Sequence, residues 1–298
     1  MPYAGWEHCL RVDNGRIEVV VTLDVGPRVI RCGFINDVNL FVEYPDQIGR
    51  KGESIYHSYG GHRLWIAPEE HPKTIYPDNA PVQWKQDGEW FRFVPPAEAS
   101  TGFQKELHVS LDLDGNEARV LHRITNVLNK AQTAAAWAVT VMAPGGRALV
   151  PQELQRPHPE SLLPVRPLVL WSYTDMTDPR WSWGSRYIQL RQDKNSTTPQ
   201  KIGMLNTPGW CAYENKRQLF VKRFPSLQDV QYPDFGCNCE IFTNAKMLEL
   251  ESLSPLMNLS PKDSITHEEQ WYLFRDVNLG SSKDEIEYSL RPIMEQSR

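Results

Sequence analysis

The sequence has no apolar run of the roughly 18–20 residues that a membrane-spanning helix needs. Its longest apolar stretch, TAAAWAVTVMAP, is too short and is broken by threonines. The opening MPYAGWEHCLRVDNGR places no apolar segment behind a basic start, so no secretion signal is expected. Runs of lysine and arginine are also missing, and the formal charge is -5. A nucleic-acid surface needs clustered cations to neutralise phosphates, so that class of partner is not expected. The sequence contains no Walker loop, no G-x-G-x-x-G between a strand and a helix and no G-x-S-x-G elbow.

The five cysteines (Cys9, Cys32, Cys211, Cys237 and Cys239) are odd in number and scattered. Disulfide frameworks usually show even counts in short secreted chains, so a reducing cytoplasm is the expectation. The GCNCE segment is C-x-C with no second pair, unlike a zinc ribbon, and these thiols read as small buried hydrophobes. Helical periodicity is scarce too. SSKDEIEYSLRPIMEQ, with its Ser/Asp start, is the best candidate helix.

Strand periodicity fills the rest. NGRIEVVVTLDVGP opens on an Asn-Gly turn and puts Ile17, Val19, Val21 and Leu23 on one face. HVSLDLDGNEARVLHRITN predicts a hairpin around Asp114-Gly115, with Val109, Leu111 and Leu113 alternating before it and Ala118, Val120, His122 and Ile124 after it. KRQLFVKRF, KMLELESLSP and ITHEEQWYLF continue the alternation, and a Pro-rich loop runs through PQELQRPHPESLLPVRP. With no linker or repeat, 298 residues predict one large all-β sandwich domain over residues 1–298.

Two segments concentrate chemistry. YGGHRLWIAPEE packs two glycines, His62, Arg63, Trp65 and the carboxylates Glu69 and Glu70 into one stretch, too polar for a core strand. In KMLELESL, Glu249 and Glu251 share a strand face about 6.5–7 Å apart. In a cleft, repulsion and desolvation would raise one of their pKa values, as a general base requires. A strand with one solvated face would give the same alternation. Ten tryptophans, several in polar company (Trp65, Trp84, Trp90, Trp181, Trp183), offer planes for a sugar's C–H face. Core packing accounts for most of them equally well.

Taken together, GGHRLWIAPE, the YPDN of Tyr76–Asn79, ITN and LELESLSPLMNLSPKDSITHEEQWYLF resemble the galactose mutarotase-like superfamily. The likeness is to a bacterial branch beside the aldose 1-epimerases and hexose-6-phosphate mutarotases. It implies a twisted β-supersandwich with a sugar cleft on a concave face, a small-molecule sugar as partner, and no cofactor or metal. In such mutarotases a glutamate takes the anomeric hydroxyl proton while a histidine protonates the ring oxygen, each near its working pH. LESLSP matches the base position and points to Glu251, and His62 is the acid candidate. Glycines there would let the backbone pass close to a ligand. The resemblance implies substrate contacts from Arg63, Trp65, Glu69, Asp78, Trp137 and Glu249. Alternatively His62 and Arg63 only brace their strand, His62 to a carbonyl and Arg63 to Glu69 or Glu70.

One departure matters. Aldose epimerases carry a further histidine after a VTN-type strand, whereas after ITN this chain reads AAWAVTVMAPGG, with Trp137 near that place. Tryptophan can stack on a sugar but cannot protonate a ring oxygen. A carbohydrate-binding protein without turnover is therefore the alternative to an isomerase. His57, His71 and His267 are the other acid candidates, and His122 falls on an apolar face as a core histidine would. His267, Glu269 and Trp271 share a face that could lie behind Glu249, but no ligand spacing supports a metal.

Overall fold

In the computed structural model, which describes residues 1–297, two large antiparallel sheets lie face to face. The first runs Cys9–Asp13, Ile17–Thr22, Val29–Phe34, His62–Ala67, Gln132–Met142, Leu248–Leu253, Cys239–Thr243, Gln200–Met204 and Leu168–Leu170, with Met257–Leu259 pairing on Gln132–Met142. The second runs Trp181–Trp183, Tyr187–Arg191, Arg147–Pro151, Trp210–Asn215, Gln218–Arg223, Ser264–Phe274, Glu117–Asn126, Phe103–Leu111, Trp90–Val94 and Gln83–Asp87. Alternation turns Ile17, Val19 and Val21 inward against Val109, Ala118 and Val120 of the other sheet, as their spacing predicts. The hairpin forms between Phe103–Leu111 and Glu117–Asn126, while Leu113 falls beyond the strand end and is exposed.

The helix also forms, over Lys283–Gln296, where the Ser282 hydroxyl and Glu285 complete a capping box. Its Ile286 and Leu290 cover the outer side of the second sheet, against Val221 and Tyr272. The outer side of the first sheet receives no helix. Among the described residues no helix is long and apolar enough to cross a membrane, and all five cysteines are buried and unpaired.

One expectation is overturned. HRLWIA, read as too polar for a core strand, is a central strand buried on both faces. The preceding glycines serve the backbone. Gly60 and Gly61 have φ of 108° and 67°, and a Cβ on them would lie 2.1 Å from the Val42 carbonyl oxygen and 2.3 Å from that of Val29. They allow neighbouring chain segments to touch, and not the ligand approach that their position suggested.

Gly61→Ala should therefore destabilise the fold by about 3 kcal/mol or more, since positive φ and a backbone clash add. Gly15, with φ of 83° and open space around it, is the control. Gly15→Ala should cost only about 1–2 kcal/mol. Urea midpoints of the two variants test the difference, and equal midpoints would refute the close-approach argument.

Candidate functional site on the first sheet

Alternation along His62–Ala67 sends Arg63 and Trp65 outward and His62, Leu64 and Ile66 inward. On the outward face one register row runs Arg63, Val139, Glu251, Glu240 and Gly203 across five strands. The next row holds Val141, Glu249, Phe242 and Lys201. Two segments 186 residues apart in sequence thus meet: Arg63 Nη2 donates to Glu249 Oε1 at 3.1 Å. Arg63 Nη1 donates to Ser58 Oγ at 3.2 Å, and its guanidinium lies 4.2 Å from the Trp65 ring centre.

Beside this pair, the Trp65 and Trp137 rings meet edge to face at 5.2 Å. Trp137 Nε1 donates to Glu251 Oε2 at 2.8 Å, and Lys201 Nζ donates to the same oxygen at 3.0 Å. The Lys201 ammonium also lies 2.7 Å from Glu240 Oε2, between the rings of Trp137 (4.8 Å) and Trp171 (4.6 Å). Glu240 and Glu251 are 0% and 1% exposed, and Arg63, Lys201 and Trp137 are buried as well. Glu251 Oε1 and Arg63 Nε have no hydrogen-bond partner among the described residues.

Burial, then the charges of Glu251 and Asp234, hold the Glu240 carboxyl well above the usual carboxylate range, against the pull of Lys201. Burial also raises Glu249, reinforced by Glu251 and opposed by Arg63. Burial acts against the charged form of Lys201, but the two glutamates outweigh it and keep the amine protonated. The outward face therefore contains a fixed ammonium, a glutamate that accepts two N–H donors and a second glutamate whose neutral form burial favours. Tyr173 packs edge-on against Phe242 at the rim, and burial pushes its phenol up to about 12.

The inward face carries a second polar group, enclosed between the sheets. Lys222 Nζ lies 2.6 Å from Glu269 Oε1, with both side chains 0% exposed. It also donates to Thr140 Oγ1 and to the Ala138 and Leu250 carbonyls. His122 Nδ1 faces the His267 carbonyl at 2.8 Å, so that nitrogen carries the proton and Nε2 accepts. His62 Nε2, 2.7 Å away, must then be the donor, which leaves His62 Nδ1 to accept from Thr140. Ser252 donates to Glu269 at 2.5 Å and receives a proton from His267 Nε2 at 2.6 Å. Trp271 Nε1 completes the Glu269 shell at 2.8 Å.

His62, His122 and Glu269 present ligand atoms within 4.8 Å of one another, as a metal would require. Yet each lone pair already has a donor, and the Lys222 ammonium supplies the positive charge. The donor set suits a self-satisfied polar seam better than a cation.

Several expectations about placement need correction. His62 does not oppose Glu251 in one concavity: one residue's shift in strand parity turns it into the seam, with the sheet between them. His267 lies in the seam as well, and His122 is the core histidine its face predicts. Glu269 and His267 do lie behind the Glu249 strand, but Glu249 points away from them, so those three cannot form one ligand set. Asp78 is engaged by Arg28, bidentate at 2.6 and 2.7 Å, and does not touch the Arg63–Glu249 pair. Glu69 is exposed and pairs with His71, so neither it nor Glu70 braces Arg63. His57 pairs with Glu53.

Glu240 and Lys201 were missed. A signal existed for both: CEIFT alternates against LELES, and QKIGM holds one lysine among residues that are otherwise uncharged. A charge within a buried strand demands a partner, but the sequence does not say which.

No protein-family model matches the sequence, and no curated protein matches it by sequence. Solved structures do match in shape. The Slr1438 protein from Synechocystis sp. PCC 6803 is 10% identical with a TM-score of 0.60, over 93% of this chain and 99% of that one. A galactose mutarotase-like protein from Lactobacillus casei ATCC 334 is 10% identical with a TM-score of 0.57, over 90% and 100%. A galactose mutarotase related enzyme from Lactobacillus acidophilus is 9% identical with a TM-score of 0.55, over 91% and 99%. The two-sheet architecture is the galactose mutarotase-like fold, as the sequence resemblance implied.

The seam makes stability pH-dependent. Burial pushes His267 down to about 3 and lowers His62 and His122, with Lys222 and the neighbouring imidazoles adding to the effect. Unfolded, each titrates near ~6.5, so below that pH the unfolded chain binds more protons. Stability is full above the unfolded value and falls as pH drops. Going from about pH 7.5 to about 5.5 should cost about 1.4 kcal/mol for each histidine that stays neutral over this range, His267 among them. Denaturant titrations at the two pH values measure this, and His267→Gln should flatten the slope by one histidine's share. A flat profile would mean that the imidazoles are not held neutral.

Proposed function

We propose that the outward face of the first sheet is a carbohydrate site, and that the protein is a sugar isomerase of the aldose 1-epimerase type. Glu251 takes the proton from the anomeric hydroxyl, the ring opens, and reclosure gives the other anomer. The observation that carries this reading is the Glu251 carboxylate. It is buried, anchored through one oxygen by Trp137 and Lys201, and its other oxygen has no partner among the described residues. A carboxylate restrained in this way is poised to accept a proton from a bound hydroxyl. The rings of Trp65, Trp137 and Trp171 around it suit the C–H face of a sugar, and Arg63 and Glu249 offer donors and acceptors for its hydroxyls. The fold adds support, because a galactose mutarotase related enzyme shares it.

A second reading is favoured by one observation. No strand histidine faces outward with Glu251, since His62, His122 and His267 all lie in the seam. The protein would then bind a sugar without turning it over.

Saturation-transfer NMR on a panel of free and phosphorylated sugars separates the readings. Anomer exchange that the protein accelerates and Glu251→Gln abolishes supports the isomerase. Thermal stabilisation by a sugar without exchange supports the binder. If no sugar either exchanges faster or stabilises the protein, both readings fail. Trp137→Ala should weaken sugar binding by about 1–3 kcal/mol, the scale of aromatic stacking on flat ligands. Unchanged affinity would assign Trp137 to packing alone.

A further inference from the structure

We infer that Glu240 is the general acid of this site, working with Glu251 across a shared lysine in place of a histidine. The inference rests on the isomerase reading above and supplies the group that reading lacks. Glu240 and Glu251 stand directly opposite each other on neighbouring antiparallel strands, about 4.5–5.5 Å apart at Cα. One oxygen of each lies within 3.0 Å of Lys201 Nζ. Glu251 Oε1 has no hydrogen-bond partner among the described residues, the Glu240 carboxyl also meets that of Asp234, and both glutamate side chains are at most 1% exposed. Two buried carboxyls anchored by one ammonium, on directly opposed strand positions, form an acid–base pair of fixed spacing.

That spacing suits a hemiacetal. The anomeric hydroxyl oxygen and the ring oxygen are bonded to the same carbon, so an acid and a base serving them must stand close together. Histidines behind the sheet cannot reach either atom. Burial and the charges of Glu251 and Asp234 favour the protonated form of Glu240, against the pull of Lys201.

The step balances within the pair. Glu251 removes the proton from the anomeric hydroxyl, whose oxygen electrons form the C1 carbonyl. The bond from C1 to the ring oxygen breaks, and Glu240 gives its proton to that oxygen. After rotation about C1–C2 the ring oxygen attacks the carbonyl, Glu240 recovers its proton and Glu251 returns its own. No outside reactant is needed. Lys201 positions both carboxyls.

The test combines infrared spectroscopy with anomer exchange on a sugar that the protein binds. Isotope-edited spectra at neutral pH should show the carbonyl stretch of a buried protonated carboxylic acid, absent from Glu240→Gln. That variant should keep sugar binding and lose exchange by roughly 100-fold or more, the lower range of general acid catalysis. Glu240→Asp, which retains a proton donor, should recover part of the rate and guards against a folding defect in the first variant. The wild-type rate should fall as pH rises through the Glu240 pKa. An ionised Glu240 in the spectra overturns the inference whatever the exchange rates are. Full exchange by Glu240→Gln overturns it while leaving the isomerase reading intact. A protonated Glu240 in a wild-type protein that binds sugar without exchange defeats the isomerase reading, and the acid role with it.

Discussion

The Lys222–Glu269 ion pair sits at the centre of the sandwich, with neither side chain exposed. Desolvating two such ions costs several kcal/mol each, and their attraction offsets this only when the remaining donors and acceptors are satisfied. The chain meets that condition by drawing partners from both sheets. Lys222 reaches across to Thr140 and to carbonyls of Gln132–Met142 and Leu248–Leu253, while Ser252 reaches back to Glu269. Losing one partner would leave a buried charge uncompensated, at a cost of about 3–5 kcal/mol. The pair therefore constrains how the sheets are registered against each other as well as holding them together. Hydrophobic burial between two broad sheets would tolerate a slide, whereas a directional network does not.

That constraint passes through the sheet to its other side. Ser252, bonded into the seam, is the immediate neighbour of Glu251, and Leu250, whose carbonyl Lys222 holds, is the neighbour on the other flank. Thr140, which receives both Lys222 and His62, sits between Val139 and Val141, the residues paired with Glu251 and Glu249. Backbone that cannot shift on the inner side presents its outward side chains at fixed positions. A site built on central strands with a locked reverse face has the rigidity that acid–base geometry demands.

The two polar layers differ in what they leave open. In the seam every donor finds an acceptor, so the imidazoles stay neutral and inert despite their number. On the outward face the balance is incomplete: a glutamate oxygen and a guanidinium nitrogen remain unmatched beside three tryptophans. Satisfied networks stabilise a core, and unmatched buried groups mark a place where a ligand can contribute hydrogen bonds. This contrast, more than residue type, separates the architectural histidines from the residues proposed to act on a sugar.

Period-two alternation in the sequence was enough to show an all-β chain, to pair Glu249 with Glu251 on one face, to put His267, Glu269 and Trp271 together on another and to turn His122 into the core. The helix with its Ser/Asp start was legible for the same reason, since helix starts and strand faces are local properties of the backbone. What alternation cannot supply is which face of a strand becomes interior. His62 and Arg63 are adjacent and equally polar, and only the packing of the second sheet sent the histidine inward and the arginine outward. Nor did it pair Glu240 with Glu251, whose register depends on the short turn between Cys239–Thr243 and Leu248–Leu253, or bring Lys201 to them, a contact 50 residues apart in sequence that is set by strand order in the sheet. The sequence by itself determined the strands, their two-sidedness and the helix, through local sterics and side-chain period. The tertiary structure alone decided which polar residues face one another, because that depends on sheet order and on the burial of one face against another.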